Sequence, residues 1–158
     1  MSGPAATVRA MTGDANPWRR LRELTGWTLR WHDPASDGRM GFTTHAARAI
    51  SLRADLTYEQ RRCTVLHECL HAEHGPVLRV FRERHENDVR RRTAQILLPD
   101  VERVADTLAW TLSYTEAAQE LQVDTGVLRD RLRWLGAAEC RALAARVGCG
   151  GLGGLGAA

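Results

Sequence analysis

Five consecutive residues, His67-Glu68-Cys69-Leu70-His71, have the types and spacing of a metal-assisted hydrolytic unit. On an α-helix, residues i and i+4 lie one above the other, so His67 and His71 can aim imidazole nitrogens at one tetrahedral zinc ion. Glu68 is turned by about 100° from His67. That keeps its carboxylate off the metal but beside it, where it can take the proton of a water the metal activates. The bland alternative is two ordinary histidines on an ordinary helix.

The flanking residues argue that the helix is real. Thr57 with Gln60 three residues on forms a capping box ahead of the motif, which satisfies two orphan backbone donors reciprocally. Gly75-Pro76 stops the helix on the other side, because glycine tolerates a left-handed turn and proline cannot donate. A second helix runs from about Leu78 to Leu98 and is stopped by Pro99. Its apolar stripe is Val89, Thr93, Ile96 and Leu97, and Glu86 lies within about 35° of the stripe's centre. A carboxylate on a buried face needs a partner. Glu86 is therefore the expected third zinc ligand, with His74, Glu83 and His85 as the other candidates.

Stepping outward along the chain, residues 1–16 are expected to be a flexible segment without the apolar run of a signal peptide. A short helix follows from Pro17, with Trp18, Leu21 and Leu24 on one side. Trp27–Trp31 alternates as a strand, 33–38 reads as a turn, and strands around Met40–Thr43 and Ala49–Leu52 complete a small, mostly antiparallel sheet. Its edge could take an extended peptide as an added strand. His32 and His45 fall in this region and read as turn or surface histidines. Residues 17–99 then form a zincin-like core of α+β class, in which the sheet packs on the HExxH helix and the second ligand-bearing helix. Residues 100–147 form a C-terminal helical portion of the same domain, and 148–158 a flexible Gly-rich tail.

Within that helical portion, helices are expected at 100–110, from Thr115 to Leu121 and from Val127 to Leu135. The tight link Gln122-Val123-Asp124 resembles a helix-turn-helix corner, and Gln122 occupies a place where glycine would be easier. Arg129 and Arg133 share a face of the last helix, but Asp124 and Asp130 dilute its charge, so DNA contact is the lesser reading and packing or substrate docking the greater.

Composition narrows the classes. All 22 basic residues are arginine and the net charge is only +3, which discounts the basic character as a nucleic-acid signal. Cys63, Cys69, Cys140 and Cys149 have no C-x-x-C spacing, which fits reduced thiols in the cytoplasm. No run approaches membrane-spanning length.

Together, His67-Glu68-x-x-His71, Glu86 thirteen residues before Pro99, and the ending Ile96-Leu97-Leu98-Pro99 resemble the ImmA/IrrE-type metallopeptidases. Their pattern is His-Glu-Leu-Gly-His followed by Glu-x-x-Ala-Asn-x-Phe-Ala-x-x-Leu-Leu-Met-Pro. The likeness extends to Thr57–Arg62 and Thr64–Leu66 ahead of the motif and covers roughly residues 25–136. It implies a zinc endopeptidase with His67, His71 and Glu86 as ligands and Glu68 as general base. It also implies a protein substrate among helix-turn-helix repressors of mobile elements, such as phage, or of stress regulons. Leu70 stands where that family has Gly, Val89-Arg90 where it has Ala-Asn, and Arg92 where it has Phe. The competing expectation is a DNA- or protein-binding regulator whose zinc site is structural or silent. Tyr58, His32, His45, His85 and Tyr114 are all open as the group that would stabilise an oxyanion.

Overall fold

In the computed structural model, which describes residues 16–35 and 37–151, the chain wraps around one helix, α2 (Tyr58–His74). Both halves of the expected capping box form: Thr57 Oγ1 accepts from Gln60 N at 3.3 Å, and Gln60 Oε1 accepts from Thr57 N at 3.1 Å. Gly75, at φ 87°, ends the helix, its N–H donating to His71 O. Three stripes divide the surface of α2. Val65, Cys69 and Ala72 bury against β-strand residues Ile50 and Leu52. Cys63, Leu66 and Leu70 bury in the larger helical core. Thr64, His67, Glu68 and His71 are left for the site. A helix apolar on two sides is held from both, so little of it can move.

On the first side, Asn16 caps α1 (Pro17–Glu23), its Oδ1 accepting from Trp18 N at 3.0 Å, and Pro17 sits at the first helical position. Asn16 thus belongs to the structured chain; the rest of the expected flexible segment, 1–15, lies outside the described residues. Strands β1 (Thr28–His32), β2 (Gly41–Thr44) and β3 (Ala49–Arg53) follow in the spatial order β1-β3-β2. The sheet is mixed, not mostly antiparallel: β1 pairs with β3 in parallel and β2 with β3 antiparallel. The reason lies in β3, whose Ala49, Ile50, Ser51 and Leu52 are all buried. Such a strand takes the centre, so the chain carries β2 past it to the edge and returns by a turn in which Arg48 holds φ 45°.

On the other side, the second helix begins with a short 3-10 turn, Arg79–Phe81, and continues as α3 (Arg82–Leu97). Then come α4 (Val101–Trp110), α5 (Tyr114–Glu120), α6 (Thr125–Arg133) and α7 (Ala137–Gly151). Three boundaries differ from expectation, two of them because a side chain earlier in sequence takes the cap. Ser113, not Thr115, caps α5 through Glu116 N at 3.1 Å. Asp124 caps α6 through Val127 N at 2.8 Å, starting it at Thr125. Helix α7, unanticipated, reaches Gly151, so the expected tail from Gly148 begins inside a helix; 152–158 lie outside the described residues. Gln122 does adopt the left-handed conformation at the corner, with φ 57°. Arg90 joins α3 to α6 through a bidentate pair with Asp130 at 2.9 and 3.1 Å. Arg146 ties α7 to Glu102 and Asp106 of α4. Among the described residues, no helix is long and apolar enough to cross a membrane.

Candidate metal centre

Helix α2 delivers His67 and His71 one turn apart, and α3 crosses them with Glu86. The three side chains form a group able to hold a metal ion. His71 Nε2 lies 3.0 Å from His67 Nε2 and 3.1 Å from Glu86 Oε2, while His67 Nε2 lies 3.3 Å from Glu86 Oε1. Zinc bonds of about 2.0 Å to nitrogen and oxygen give a tetrahedron with edges of about 3.3 Å, so the spacing fits. Two imidazole lone pairs and a carboxylate this close repel one another unless a proton or cation sits between them. The charge balance says the same. Hydrogen bonds with His67 and then His71 hold the Glu86 carboxyl well below the ordinary carboxylate range.

Glu86 is not on a buried face, contrary to expectation. Val89, Thr93 and Leu97 are buried, but the Glu86 side chain is 46% exposed. Position at the rim of α3, rather than desolvation, brings it to the histidines. Of the other ligand candidates, His85 stands behind the site with Nε2 3.0 Å from His71 Nδ1. His74 packs on the His85 ring, 4.1 Å between centroids, and Glu83 lines the cleft outside the three-residue group.

Glu68 is 5% exposed. Its Oε2 accepts from Thr43 Oγ1 of β2 at 2.7 Å, and the same hydroxyl lies 3.1 Å from the Glu68 carbonyl. Burial pushes its pKa up, against the opposing pull of His67 and the Thr43 hydrogen bond. This close approach of strand to helix requires glycine at position 41: a Cβ there would lie 2.5 Å from Thr64 Cγ2 and 3.2 Å from Glu68 Cγ. The sequence signal for it was a glycine inside a strand pattern. Thr43 itself carried no signal before the register was known.

A cleft of about 710 Å³ runs over the group, with Thr43, His45, Glu68, His85 and Glu86 in its walls. Of the five open oxyanion candidates, only His45 and His85 line it. His32 ends β1, with Nδ1 2.9 Å from Ser51 Oγ and Nε2 3.2 Å from Arg39 O. Tyr58 is exposed at the start of α2, and Tyr114 packs on the helical core. His45 stacks edge-on against Trp27, and burial, then the charges of His71 and His74, lowers its pKa. Cys69 is buried in the sheet-side core, away from the group.

No family model matches the chain, and no curated protein or solved structure matches it significantly.

Proposed function

We propose that the protein is a zinc-dependent metalloendopeptidase of the ImmA/IrrE type, with His67, His71 and Glu86 holding the metal and Glu68 as general base. The observation that carries this reading is the convergence of two imidazoles and a carboxylate at zinc spacing with a second, buried carboxylate beside them and a cleft above. Three protein ligands leave a coordination place free, which suits catalysis better than a closed structural site.

Zinc held there supplies Lewis acidity, lowering the pKa of a water and polarising a carbonyl. Thr43 fixes one oxygen of Glu68 and leaves the other to take the proton as the water attacks. The raised pKa of Glu68 suits a group that must then return that proton to the leaving amine. Strand β2 is an edge of the sheet and lines the cleft, so an extended substrate backbone can add to it beside Glu68. Of the two open candidates in the cleft walls, His85 already faces His71 Nδ1 through its Nε2, which leaves His45, its pKa lowered by burial, as the donor for the developing oxyanion. The substrate class, a helix-turn-helix repressor, rests on the resemblance alone. A regulator working through α5 and α6 has thinner support, since the outward basic side chains of α6 are Arg129 and Arg133 while Asp130 and Arg131 are buried.

The test combines metal content with cleavage. One zinc per chain is expected in wild type and in Glu68→Gln, and loss or strong weakening in His71→Ala and Glu86→Ala. New N-termini mapped by mass spectrometry in cells expressing wild type should vanish with Glu68→Gln, a fall of about 10³-fold in rate. Equal cleavage by Glu68→Gln, or a wild type that takes up no zinc, overturns the reading.

A further inference from the structure

A second cavity, of about 270 Å³, opens off the metal cleft between α2, α3 and the start of α6. Its walls continue the faces that bear the ligands. On α3, Arg90 and Thr93 follow Glu86 at i+4 and i+7 and so share its side of the helix. Cys63 and Thr64 lie one turn before His67 and Glu68, and Asp124, Val127 and Asp130 of α6 close the far side. His67 and Glu68 line this cavity as well as the cleft. A chain lying across them therefore has one side chain poised over it.

Thr93 gives the cavity its chemistry. The residue is 2% exposed, and its hydroxyl is buried without a partner. The other buried helix threonines behave differently: Thr64 Oγ1 donates to Gln60 O at 2.7 Å and Thr107 Oγ1 to Arg103 O at 2.9 Å, each four residues back. Thr93 forgoes that bond, which costs stability that a ligand in the cavity would restore.

The rest of the lining sets which ligand. Arg90 commits Nε and Nη2 to Asp130 and keeps Nη1 outside that pair. Asp124 accepts from Val127 N through Oδ1, and its carboxylate also takes a hydrogen bond from the Cys63 thiol, so it stands as an acceptor in the wall. Thr64 turns its methyl toward Gly41, and Val127 and Met40 add apolar wall. Donor and acceptor capacity both remain: Arg90 and Asp130 cancel, Glu86 faces the two imidazoles, and Glu68 and Asp124 leave the wall acidic. An incoming carboxylate would meet Asp124. An aliphatic chain would leave the Thr93 hydroxyl bare, and a cation would compete with Arg90 for Asp130. A carboxamide, with both a donor and an acceptor, uses what is left. We propose that this cavity is a subsite for a glutamine or asparagine side chain next to the scissile bond, with Thr93 as the residue that selects it. The proposal rests on the peptidase reading of the adjoining site.

The probes are short peptides capped by a zinc-binding hydroxamate, their first side chain that of glutamine, leucine, glutamate or arginine, with acetohydroxamate as the bare control. They are titrated calorimetrically into zinc-loaded protein. The glutamine compound should bind about tenfold more tightly than the leucine one. Thr93→Val, which keeps shape and removes the hydroxyl, should cut that ratio to about twofold while the acetohydroxamate affinity stays unchanged. The proposal is overturned if the leucine, glutamate or arginine compound binds as tightly as the glutamine one, or if Thr93→Val leaves the ranking intact. Failure of even acetohydroxamate to bind zinc-loaded protein would instead bring down the peptidase reading, and the subsite with it.

Discussion

Helix α2 has two unlike neighbours, and the site uses one from each. On the sheet side its buried contacts form a small cluster, Ile50, Leu52, Val65, Cys69 and Ala72, with half-buried residues of α1 and β1 around it. On the helical side, Cys63, Leu66 and Leu70 join a far larger core reaching from α3 to α7. The sheet side supplies Thr43 to Glu68, and the helical side supplies Glu86 to the metal group. Support of the carboxylate proposed to transfer the proton and support of the proposed third ligand are thus separate structural tasks, joined only through α2. Damage to one side should be distinguishable from damage to the other.

The largest effect on stability should come from the helical side. Leu66 is fully buried there, and Leu66→Ala should cost about 3 kcal/mol through lost burial and a residual cavity. Val65→Ala, equally buried but on the sheet side, removes fewer atoms and should cost about 2 kcal/mol. Urea denaturation of both variants tests this ordering. A Val65→Ala loss larger than the Leu66→Ala loss would mean that the small cluster, not the large one, anchors α2.

Gly41→Ala comes next and strikes the seam from the sheet side. The new methyl would meet Thr64 Cγ2 at 2.5 Å and the Ser51 carbonyl at 3.1 Å, so β2 must move off α2, at about 2 kcal/mol. Zinc content should stay at the wild-type level, because the three ligands sit on the helices, while hydrolysis should fall with the displaced Thr43. Loss of zinc in this variant would show that the two tasks are not separate.

Thr43→Val is a milder version of the same experiment. Removing the hydroxyl should slow hydrolysis by about tenfold, the worth of one hydrogen bond to a charged group, with zinc retained. The pH profile carries the sign. In the proposed reaction Glu68 works as a base when ionised, so rate would be lost as pH falls through its pKa. The Thr43 hydrogen bond lowers that pKa, and its removal should move the acid limb of kcat/KM to higher pH. A limb that stays in place, or moves to lower pH, would remove Thr43 from the proton-transfer machinery.

The two sides also differed in how well the sequence disclosed them. Everything local to α2 was legible: Thr57 and Gln60 as a capping box, Gly75 as the stop, and the i, i+4 histidines. Glu86 was reached by helical angle, although the burial invoked for it is not what the structure has. What could not be read was set by long-range pairing. Ala49–Leu52 looks the same as a strand in either kind of sheet, and only burial on both faces makes it central and the sheet mixed. Thr43 and Thr93 were invisible as site residues because their meaning depends on what lies opposite. Ser113 and Asp124 cap α5 and α6 and start them ahead of the expected Thr115 and Val127, and α7 has too little polar contrast among its alanines and glycines to announce itself.

The smallest expected effect lies at the far end of the helical side, where α7 is attached. Glu139 accepts from Gly136 N at 2.9 Å and pairs with the guanidinium of Arg131, itself 3% exposed and donating to Leu98 O at 2.8 Å. Hydrogen bonding from Arg131, then from Gly136, lowers the Glu139 pKa below its ordinary 4.5. A depressed carboxylate pKa contributes stability that is present above 4.5 and lost as pH falls through the folded value. The Glu139 side chain is more than a third exposed, so solvent screens the pair and the contribution is small. Replacing it with Gln should lower Tm slightly at neutral pH and make the acid limb of the Tm profile shallower just below pH 4.5. Zinc affinity should not change, since α7 touches neither ligand helix through this pair. An acid limb identical to wild type would mean that Arg131 is held by the Leu98 carbonyl alone; a change in zinc affinity would mean that the helical side transmits strain from α7 through α6 and the Arg90–Asp130 pair to Glu86.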